Sequence, residues 1–314
     1  MSSHVCPACG SFNSEFNAFC HSCGTPLSSS VGDTAIVNPR TPGPALTPGT
    51  PVARYEILEL IGRGAMGDVY RVADRDVGLH FALKLLSAEL ADNQTAQARL
   101  RREARAVGAL QHRSIAGIHE MGEHMGRPFI VMALHEGDTL REVLTMGPLA
   151  ISEAVRVGAE LASALDAAHQ AGITHRDVKP ANIILARSGG VKLVDFGLAK
   201  LTDVAAPRLT RTGAVLGTIA YMSPEQLGGE SVDHRADLWS LGVVLYESLA
   251  GTPPFMGSGL ARRILMEEPD PVSSRRMDVP SELAKLVEQL LRKDPSSRVE
   301  SAREVERRLR ALPH

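Results

Sequence analysis

The sequence has no cysteine after residue 23, and it lacks any long run of apolar residues. The start, MSSHVCPACG, has neither the basic nor the apolar segment of a secretory signal. The stretch nearest to a membrane span, LWSLGVVLYESLAG, is too short and contains Glu247. We therefore expect a protein of the cytoplasm, where disulfides are rare.

An excess of either charge is also missing, because 34 Lys and Arg balance 36 Asp and Glu, for a formal net charge of -2. This balance gives no bulk attraction to nucleic acid or to an anionic membrane. Residues 1–27 contain no Lys or Arg at all, which argues against a nucleic-acid-binding knuckle there. The apolar fraction of 44% is that of a soluble globular protein.

The four cysteines form two C-x-x-C pairs, Cys6 with Cys9 and Cys20 with Cys23, ten residues apart. Four thiolates suit tetrahedral Zn²⁺, and a unit this small needs the metal in order to fold. The stretch CPACG…FCHSCGTPL also resembles short zinc-ribbon modules at the termini of bacterial proteins. We interpret residues 1–27 as a zinc ribbon. Redox-active or unpaired thiols are the alternatives, although no βαβ context supports a redox motif.

Residues 28–53 are rich in Ser, Thr, Gly and Pro and have little to bury, so we predict a semi-stiff linker. Alternation then predicts strands at YEILELIG, GDVYRVADR, HFALKLLS and PFIVMAL, with a helix at TAQARLRREARAVGALQ. From about residue 139 the patterns are mainly helical. Strands followed by helices predict an α+β fold with two lobes, an N-lobe over about 54–135 and a C-lobe over about 136–312.

The stretch IGRGAMGDV contains Gly62, Gly64 and Gly67 in a G-x-G-x-x-G pattern, which alone is a weak signal. A dinucleotide-binding unit would continue into a helix, whereas DVYRVADR alternates like a strand. The pattern therefore indicates either a plain hairpin or a flap (residues 62–67) that lies over phosphates. On the next helix, Glu103 lies in an apolar stripe and needs a partner if that face is buried. Lys84 is the natural candidate.

Two later stretches, ITHRDVKPANIIL and VKLVDFGLAK, decide between these alternatives. With the glycine turn, the A-x-K lysine, the helix glutamate and GTIAYMSPE, they resemble the eukaryotic-like protein kinase family. The resemblance is to its serine/threonine branch, closest to bacterial members, and runs from about Tyr55 to Leu312. It implies a bilobal protein-kinase-like fold over 54–312, after the zinc ribbon. It also implies transfer of the ATP γ-phosphoryl group to Ser or Thr hydroxyls of proteins.

The resemblance assigns the catalytic roles as well. Lys84, oriented by Glu103, would hold the α- and β-phosphates, and Asp177 would accept the proton of the substrate hydroxyl. Lys179 would offset charge on the transferring γ-phosphoryl group, and Thr218 would support the same geometry.

The metal and nucleotide sites follow from the same resemblance. Asp195 and Asn182 would supply hard oxygen ligands for Mg²⁺ or Mn²⁺. ATP would be held by the flap, by an apolar sandwich around adenine and by the backbone of Ala133 and His135. The expected ATP-binding positions are Ile61, Gly62, Gly64, Gly67, Val69, Ala82, Lys84, Met132, Ala133, His135, Ile184 and Val194.

Other motif residues are interpreted as scaffold. Asp237 is expected to anchor the backbone of the catalytic loop, and Glu225 to form a buried pair with Arg298. His175 and Phe196 are expected to pack together with Val107 of the glutamate-bearing helix.

Regulation is expected in the segment between D-F-G and S-P-E. Thr210 and Thr212 lie where bacterial relatives carry activating phosphothreonines, and Arg176 is of the type that receives such a phosphate. We therefore expect autophosphorylation in trans, with unmodified loop hydroxyls as the alternative. A kinase dimer during activation is expected by family analogy only. The ribbon is expected to dock a protein partner or the kinase domain itself.

An inactive scaffold with a kinase-like fold is the main competing function. It would predict damage to Lys84, Asp177, Asn182 or Asp195, and all four residues are intact. Because the kinase-like pattern ends just before His314, we expect either a soluble short form or a fragment of a longer protein.

Overall fold

The computed structural model of the chain describes residues 3–5, 12–14, 45–64, 67–87, 94–196 and 218–312. The chain divides into two compact units, Met1–Gly43 and Pro44–His314. In the first unit, β1 (Ser3–Val5) and β2 (Phe12–Ser14) pair in antiparallel fashion. Across the described ranges, no helix is both long and apolar enough to cross a membrane.

The second unit begins with a six-stranded antiparallel sheet and one helix. The strands are β3 (Pro51–Val52), β4 (Tyr55–Gly64), β5 (Gly67–Asp74), β6 (His80–Leu86), β7 (Ile118–His124) and β8 (Arg127–Ala133). Their order in the sheet is β3-β4-β5-β6-β8-β7. Helix α1 (Gln94–Gly108) lies against β7 and buries Leu100 and Val107. The predicted strands and the predicted helix of this region are therefore confirmed.

Side chains alternate between the two faces of this sheet, as its period of two requires. An apolar cluster covers one face, which we call the outer face; it includes Tyr70, Leu83 and Phe129. Lys84 lies on the other, inner face, opposite Ile130 of β8. Ile130 belongs to the main core cluster together with Leu100 of α1. The inner face is therefore the one that meets the rest of the domain.

Strand β3 lies inside the segment predicted to be linker. Pro51 pairs with Glu56, and Val52 is completely buried in the outer-face cluster. Just before it, the N–H of Gly49 donates to the carbonyl of Ile57 at 2.8 Å. The folded domain therefore begins before the boundary predicted at residue 54. A two-residue edge strand gives too short a pattern to separate it from a linker.

Helices dominate the remainder of the domain. They are α2 (Leu140–Thr145), α3 (Ile151–Gln170), α4 (Pro224–Gly228), α5 (Arg235–Ala250), α6 (Leu260–Met266), α7 (Val272–Arg275), α8 (Ser281–Leu290) and α9 (Ala302–Arg310). Helix α5 is buried on every side over most of its length and contains the single Trp, Trp239. Such a helix forms the centre of a helical layer, because it has no polar face to expose. Helices α3 and α9 pack beside each other, and α3 also packs on α5.

A small three-stranded sheet accompanies the helices, with one strand before α2 and two strands after α3. It contains β9 (Gly137–Thr139), β10 (Ile183–Ala186) and β11 (Val191–Leu193) in the order β11-β10-β9. A backbone bridge between Ile115 and Leu193 connects it to the segment after α1. Short strands were predicted around VKLVDFG, where β10 and β11 lie, whereas β7 and β9 were not predicted, because β7 is largely polar and β9 is very short.

An ion pair is buried deep in the helical part. The guanidinium of Arg298 donates to both carboxylate oxygens of Glu225 at 2.7 Å, and both side chains are almost fully buried. Arg298 also donates to the carbonyls of Arg235, Lys293 and Arg292 at 2.8–3.0 Å. The predicted pair is therefore confirmed, and the carbonyls satisfy the remaining donors of the guanidinium.

Candidate active site

The loop after α3 is held by one carboxylate of α5. Asp237, fully buried, accepts hydrogen bonds from the backbone N–H groups of His175 and Arg176, both at 2.7 Å. His169, near the end of α3, places Nε2 at 2.8 Å from the same carboxylate. Arg176 has a φ of 63°, a left-handed conformation that its surroundings must hold. The predicted anchoring role of Asp237 is confirmed, and it fixes the backbone directly before Asp177.

Asp177 is buried, and neighbouring donors orient its carboxylate. Lys179 Nζ donates to Oδ2 at 2.8 Å. Asn182 Nδ2 donates to Oδ2 at 3.0 Å and to the backbone carbonyl of Asp177 at 2.9 Å. Thr218 Oγ1 lies 3.5 Å from Lys179 Nζ. A carboxylate held in one direction meets the first requirement of a group that must accept a proton from one particular hydroxyl.

Lys84 meets Asp195 at the other end of the site. Its Nζ donates to Oδ1 at 2.5 Å and to Oδ2 at 2.6 Å. Lys84 is buried on β6, and Asp195 follows β11 with a φ of 61°, again left-handed. The sequence predicted Glu103 as the partner of Lys84, whereas the ion pair described for Lys84 is with Asp195. Glu103 is half-buried on α1, and its role stays a prediction.

His175 and Phe196 form the expected contact, with ring centroids 4.5 Å apart. Phe196 and Val107 of α1 belong to the same core cluster. Burial lowers the pKa of His175, so its ring is neutral. Its Nδ1 accepts the N–H of Asp177 at 3.2 Å, so the proton is on Nε2, which donates to the carbonyl of Val194 at 3.3 Å. The imidazole thus connects the two catalytic segments.

Cross-strand pairing brings several predicted nucleotide-binding side chains onto the inner face of the large sheet. Val69 lies opposite Lys84, and Ala82 lies opposite Met132. Directly opposite residues of an antiparallel pair project to the same side. Ile61, near the end of β4, is 47% exposed, which leaves its apolar surface available for a ligand.

The predicted hinge follows β8. The N–H of Ala133 donates to the carbonyl of Gly117 at 3.2 Å, so Ala133 can offer a ligand only its carbonyl. His135 is half-buried, and burial lowers the pKa of its imidazole. Ile184 on β10 and Val194 after β11 are half-buried as well. These positions are compatible with an apolar adenine site whose polar contacts come from the backbone.

The fold itself requires glycine at only one of the three flap positions, Gly67. Gly67 has a φ of +136°, and a Cβ there would lie 2.1 Å from the carbonyl oxygen of Leu85. At Gly62 the nearest atom to a Cβ would be 3.7 Å away, and at Gly64 it would be 4.0 Å away. Glycine inside a strand weakens it and often marks close approach of a ligand. Gly62 and Gly64 therefore fit a site where phosphates approach the backbone.

Asp195 and Asn182 fit a magnesium site. Because the amide nitrogen of Asn182 donates to Asp177, its oxygen is the atom that can bind a cation. Among the residues that the structure describes, no three His, Cys, Asp or Glu side chains form a metal-binding group. Mg²⁺ commonly takes several of its ligands from water and substrate oxygens, so two protein ligands are enough for such a site.

Some predicted sites lie outside the described residues. These are the cysteines Cys6, Cys9, Cys20 and Cys23 and the activation-loop residues Thr210 and Thr212. Sequence reasoning also missed one contributor, His169. Its partner Asp237 is 68 residues away, and a histidine near the end of an alanine-rich helix gives no local signal of that contact.

A sequence profile described as "Protein kinase domain" matches residues 55–308. The serine/threonine-protein kinase PknB of Mycolicibacterium smegmatis is 42% identical over 260 residues, which cover 80% of this chain and 42% of that protein. PknB of Mycobacterium tuberculosis is 40% identical over 267 residues, covering 82% of this chain and 43% of that protein. This chain thus spans about two fifths of the length of these curated relatives.

Solved structures give the same result. The crystal structure of the Mycobacterium tuberculosis PknI kinase domain superposes with a TM-score of 0.69 at 30% sequence identity. The superposition covers 85% of this chain and 99% of the PknI domain. The similarity therefore extends over the sheet, the small sheet and the helical layer together.

Proposed function

This chain belongs to the protein kinase family, and we propose that it transfers the γ-phosphoryl group of ATP to Ser and Thr hydroxyls of proteins. The observation that carries the proposal is the arrangement around Asp177. Its carboxylate is oriented by Lys179 and Asn182, on a loop whose backbone is fixed by Asp237. Phosphoryl transfer needs positioning and charge neutralisation more than covalent chemistry, and this arrangement can supply both.

Each catalytic side chain has a distinct proposed role. Asp177 accepts the proton of the attacking hydroxyl and holds that hydroxyl in line with the γ-phosphorus. Lys179 neutralises charge on the group in transfer, a role that its distance of 2.8 Å from Asp177 supports. Thr218, next to Lys179, supports the acceptor side. Lys84 holds the α- and β-phosphates.

The contact between Lys84 and Asp195 is proposed to be exchanged when nucleotide binds. Both groups have phosphate or magnesium as their natural partner, and they neutralise each other in this structure. Asp195 and Asn182 would hold Mg²⁺, or Mn²⁺, which supplies neutralisation of phosphate charge. Lys84 would then pair with Glu103 of α1, as proteins of this family do in their active form.

Adenine is proposed to lie against the inner-face side chains and the hinge. Val69, Ala82 and Met132 form one apolar wall, while Ile184 and Val194 come from the small sheet and the segment after it. The carbonyl of Ala133 and the backbone of His135 would make the hinge hydrogen bonds. The flap glycines would bring backbone N–H groups to the phosphates.

Regulation is proposed to act through Thr210 and Thr212, by autophosphorylation between two copies of the chain. Arg176 is held in a left-handed conformation directly before Asp177, which supports a role in receiving a phosphate close to the catalytic aspartate. We further propose a cytoplasmic location, since both ATP and reduced thiols are found there.

Residues 1–27 are proposed to form a zinc ribbon through Cys6, Cys9, Cys20 and Cys23. The pairing of β1 with β2 supports this, because Cys6 and Cys9 lie in the stretch between these strands. A ribbon attached to a kinase is proposed to dock a protein partner. Phosphoryl transfer itself would not require the ribbon, so we assign the ribbon to the choice of protein partner.

The decisive experiment compares the purified chain with Asp177→Asn in phosphate transfer from Mg-ATP to a generic basic protein. We expect at least about a hundredfold loss in the variant, because the general base and its alignment are both removed. Intact-mass analysis before and after incubation should show added phosphate on the wild-type chain alone. A Thr210→Ala/Thr212→Ala variant should lose most of that added mass.

Two outcomes would contradict the proposal. Equal transfer by wild type and Asp177→Asn would mean a contaminating kinase. Nucleotide binding without any transfer, in a preparation already phosphorylated on the loop, would instead support an inactive scaffold.

A further inference from the structure

The hairpin that carries the flap is fastened by an ion pair beside the glycine turn. Arg63 and Asp68 lie directly opposite each other, at the register position next to the Gly64–Gly67 pair. Arg63 donates from Nε to Asp68 Oδ1 at 2.9 Å and from Nη2 to Oδ2 at 3.2 Å. The Asp68 side chain is only 8% exposed, so this two-point contact is shielded from water on the carboxylate side. Strands β4 and β5 are therefore held together where the flap begins.

A tyrosine extends this contact into the domain. Tyr70 donates its hydroxyl hydrogen to Asp68 Oδ2 at 3.2 Å, and its hydroxyl oxygen accepts the backbone N–H of Leu46 at 3.0 Å. Tyr70 is almost completely buried, and burial raises the pKa of its hydroxyl, so the hydroxyl remains protonated. The hydroxyl of Tyr70 thus acts as a donor to Asp68 and as an acceptor from Leu46 at the same time.

Leu46 belongs to the stretch of residues 45–52, which we call the docked segment. This segment packs on the outer face of the sheet through Leu46 and Val52, and β3 adds it to the edge of β4. It is also the part of the chain through which residues 1–43 are connected to the domain. An unbroken series of hydrogen bonds therefore runs from the docked segment to the flap.

The side chains of this series lie away from the nucleotide positions. Asp68 and Tyr70 are buried on the outer side of β5, while Val69 between them lies opposite Lys84 on the inner side. Because strand side chains alternate, the hydrogen-bonded series and the proposed ATP site are on opposite faces of the sheet. The series can therefore act on ATP through the backbone of the flap.

We propose that Arg63, Asp68 and Tyr70 are positioning residues for the nucleotide, which tie the flap to the docked segment. They hold the strand ends at Gly62–Gly64 and at Gly67, where backbone N–H groups can contact the phosphates. The inference deepens the proposed function and rests on it for the identity of the nucleotide. It also gives the docked segment a role in nucleotide binding, because any event that detaches residue 46 weakens the hold of the flap on ATP.

The test measures nucleotide binding directly, by calorimetry with Mg-ADP on the full chain. Tyr70→Phe removes the hydroxyl and keeps the ring, and Arg63→Ala removes the cross-strand ion pair. Each is expected to raise the Kd for Mg-ADP about fivefold, because the flap is held less firmly once the series is broken. The KM for ATP should rise by a similar factor, while kcat at saturating ATP stays within about twofold.

Matched variants separate positioning from general stability. Tyr55→Phe removes another tyrosine hydroxyl of the same sheet, one that donates to Glu120 at 2.7 Å rather than to Asp68. It should leave the Kd for Mg-ADP unchanged. Arg63→Lys keeps the charge and should recover part of the affinity lost in Arg63→Ala. In Tyr70→Phe, hydrogen exchange should accelerate at the amides of Leu46 and of the flap.

The outcomes distinguish this inference from the proposed function. Folded Tyr70→Phe and Arg63→Ala proteins that bind Mg-ADP like wild type would overturn the inference and leave the kinase proposal intact. The same loss of affinity in Tyr55→Phe would also overturn it, since the effect would then be one of sheet stability. If wild type binds Mg-ADP but transfers no phosphate, the kinase proposal fails and the measured Kd values still decide the positioning role. Failure of wild type to bind Mg-ADP would overturn both.

Discussion

Individual residues of the site owe their geometry to partners far away in the chain. Lys84 is bound by Asp195, which lies 111 residues later. The backbone before Asp177 is held by Asp237, 61 residues after Arg176. Since these partners are buried or half-buried, the contacts are stronger than they would be in water, and loss of one group leaves another unsatisfied. A substitution at such a residue therefore acts on its partner as well as on itself.

His175 makes this dependence measurable through pH. Burial lowers its pKa from the ordinary value of 6.5, so the folded chain keeps the ring neutral while the unfolded chain takes up a proton. Stability from this group is complete above about pH 6.5 and declines below it, by up to about 1.4 kcal/mol per pH unit. His175→Phe removes the titration, so its free energy of unfolding should fall less than that of wild type between pH 7 and pH 5. Urea unfolding across this range checks the difference, and parallel curves would contradict it.

Two elements do most of the positioning. Helix α5 is buried on all sides, presents Asp237 in its first turn and contacts the segment before α4 through Ser240, which donates to the carbonyl of Tyr221 at 2.8 Å. The hairpin of β4 and β5 instead presents the flap, and its outer side is fastened by Arg63 and Asp68. The buried helix thus fixes the loop that contains Asp177, while the two-stranded hairpin carries the backbone that we propose to bind phosphate.

The glycines of this hairpin give a prediction at the scale of the element. Gly67→Ala would push a Cβ against the backbone of Leu85 at a φ that disfavours side chains, so we expect a loss of about 2 kcal/mol or more in stability. Gly64→Ala meets no atom closer than 4.0 Å, so its stability should stay within about 0.5 kcal/mol of wild type. It should nevertheless bind Mg-ADP about tenfold more weakly, because the new methyl group lies where phosphate approaches.

Thermal unfolding and calorimetry on both glycine variants provide the measurement. Unchanged nucleotide affinity in a stable Gly64→Ala protein would remove the ligand-based explanation for that glycine. A Gly67→Ala protein as stable as wild type would contradict the steric explanation.

At the scale of the molecule, the site forms where two layers share one core. The main cluster joins Ile130 and Met132 of the large sheet to Val178 and Phe196 of the catalytic segments, and continues into α5. The outer-face cluster is separate and is completed by the docked segment. Every member of both clusters comes from the unit Pro44–His314, so this unit has its own core.

Loss of the proposed zinc ribbon should therefore leave the kinase domain folded. Wild type is expected to contain one zinc per chain by atomic absorption, and Cys6→Ser/Cys9→Ser should contain none, because two thiolates do not hold structural zinc. The single Trp, Trp239, is buried in α5, so its fluorescence follows unfolding of the domain alone. The midpoint of thermal unfolding measured by this fluorescence should agree between the two proteins to about 2 °C. Zinc-free wild type would contradict the ribbon. A lower midpoint in the variant would contradict the prediction that the kinase domain folds without the ribbon.

The sequence by itself determined the local features of this protein. Periodicity predicted β4, β5, β6, β8 and the longer helices, and the resemblance of short motifs to the protein kinase family singled out Asp177, Asn182 and Asp195, because these signals lie within short stretches of chain. Only the tertiary structure decided that Lys84 meets Asp195, that His169 reaches Asp237, and that the end of the predicted linker is docked on the sheet. Such contacts depend on how distant segments pack, and no short pattern contains that information.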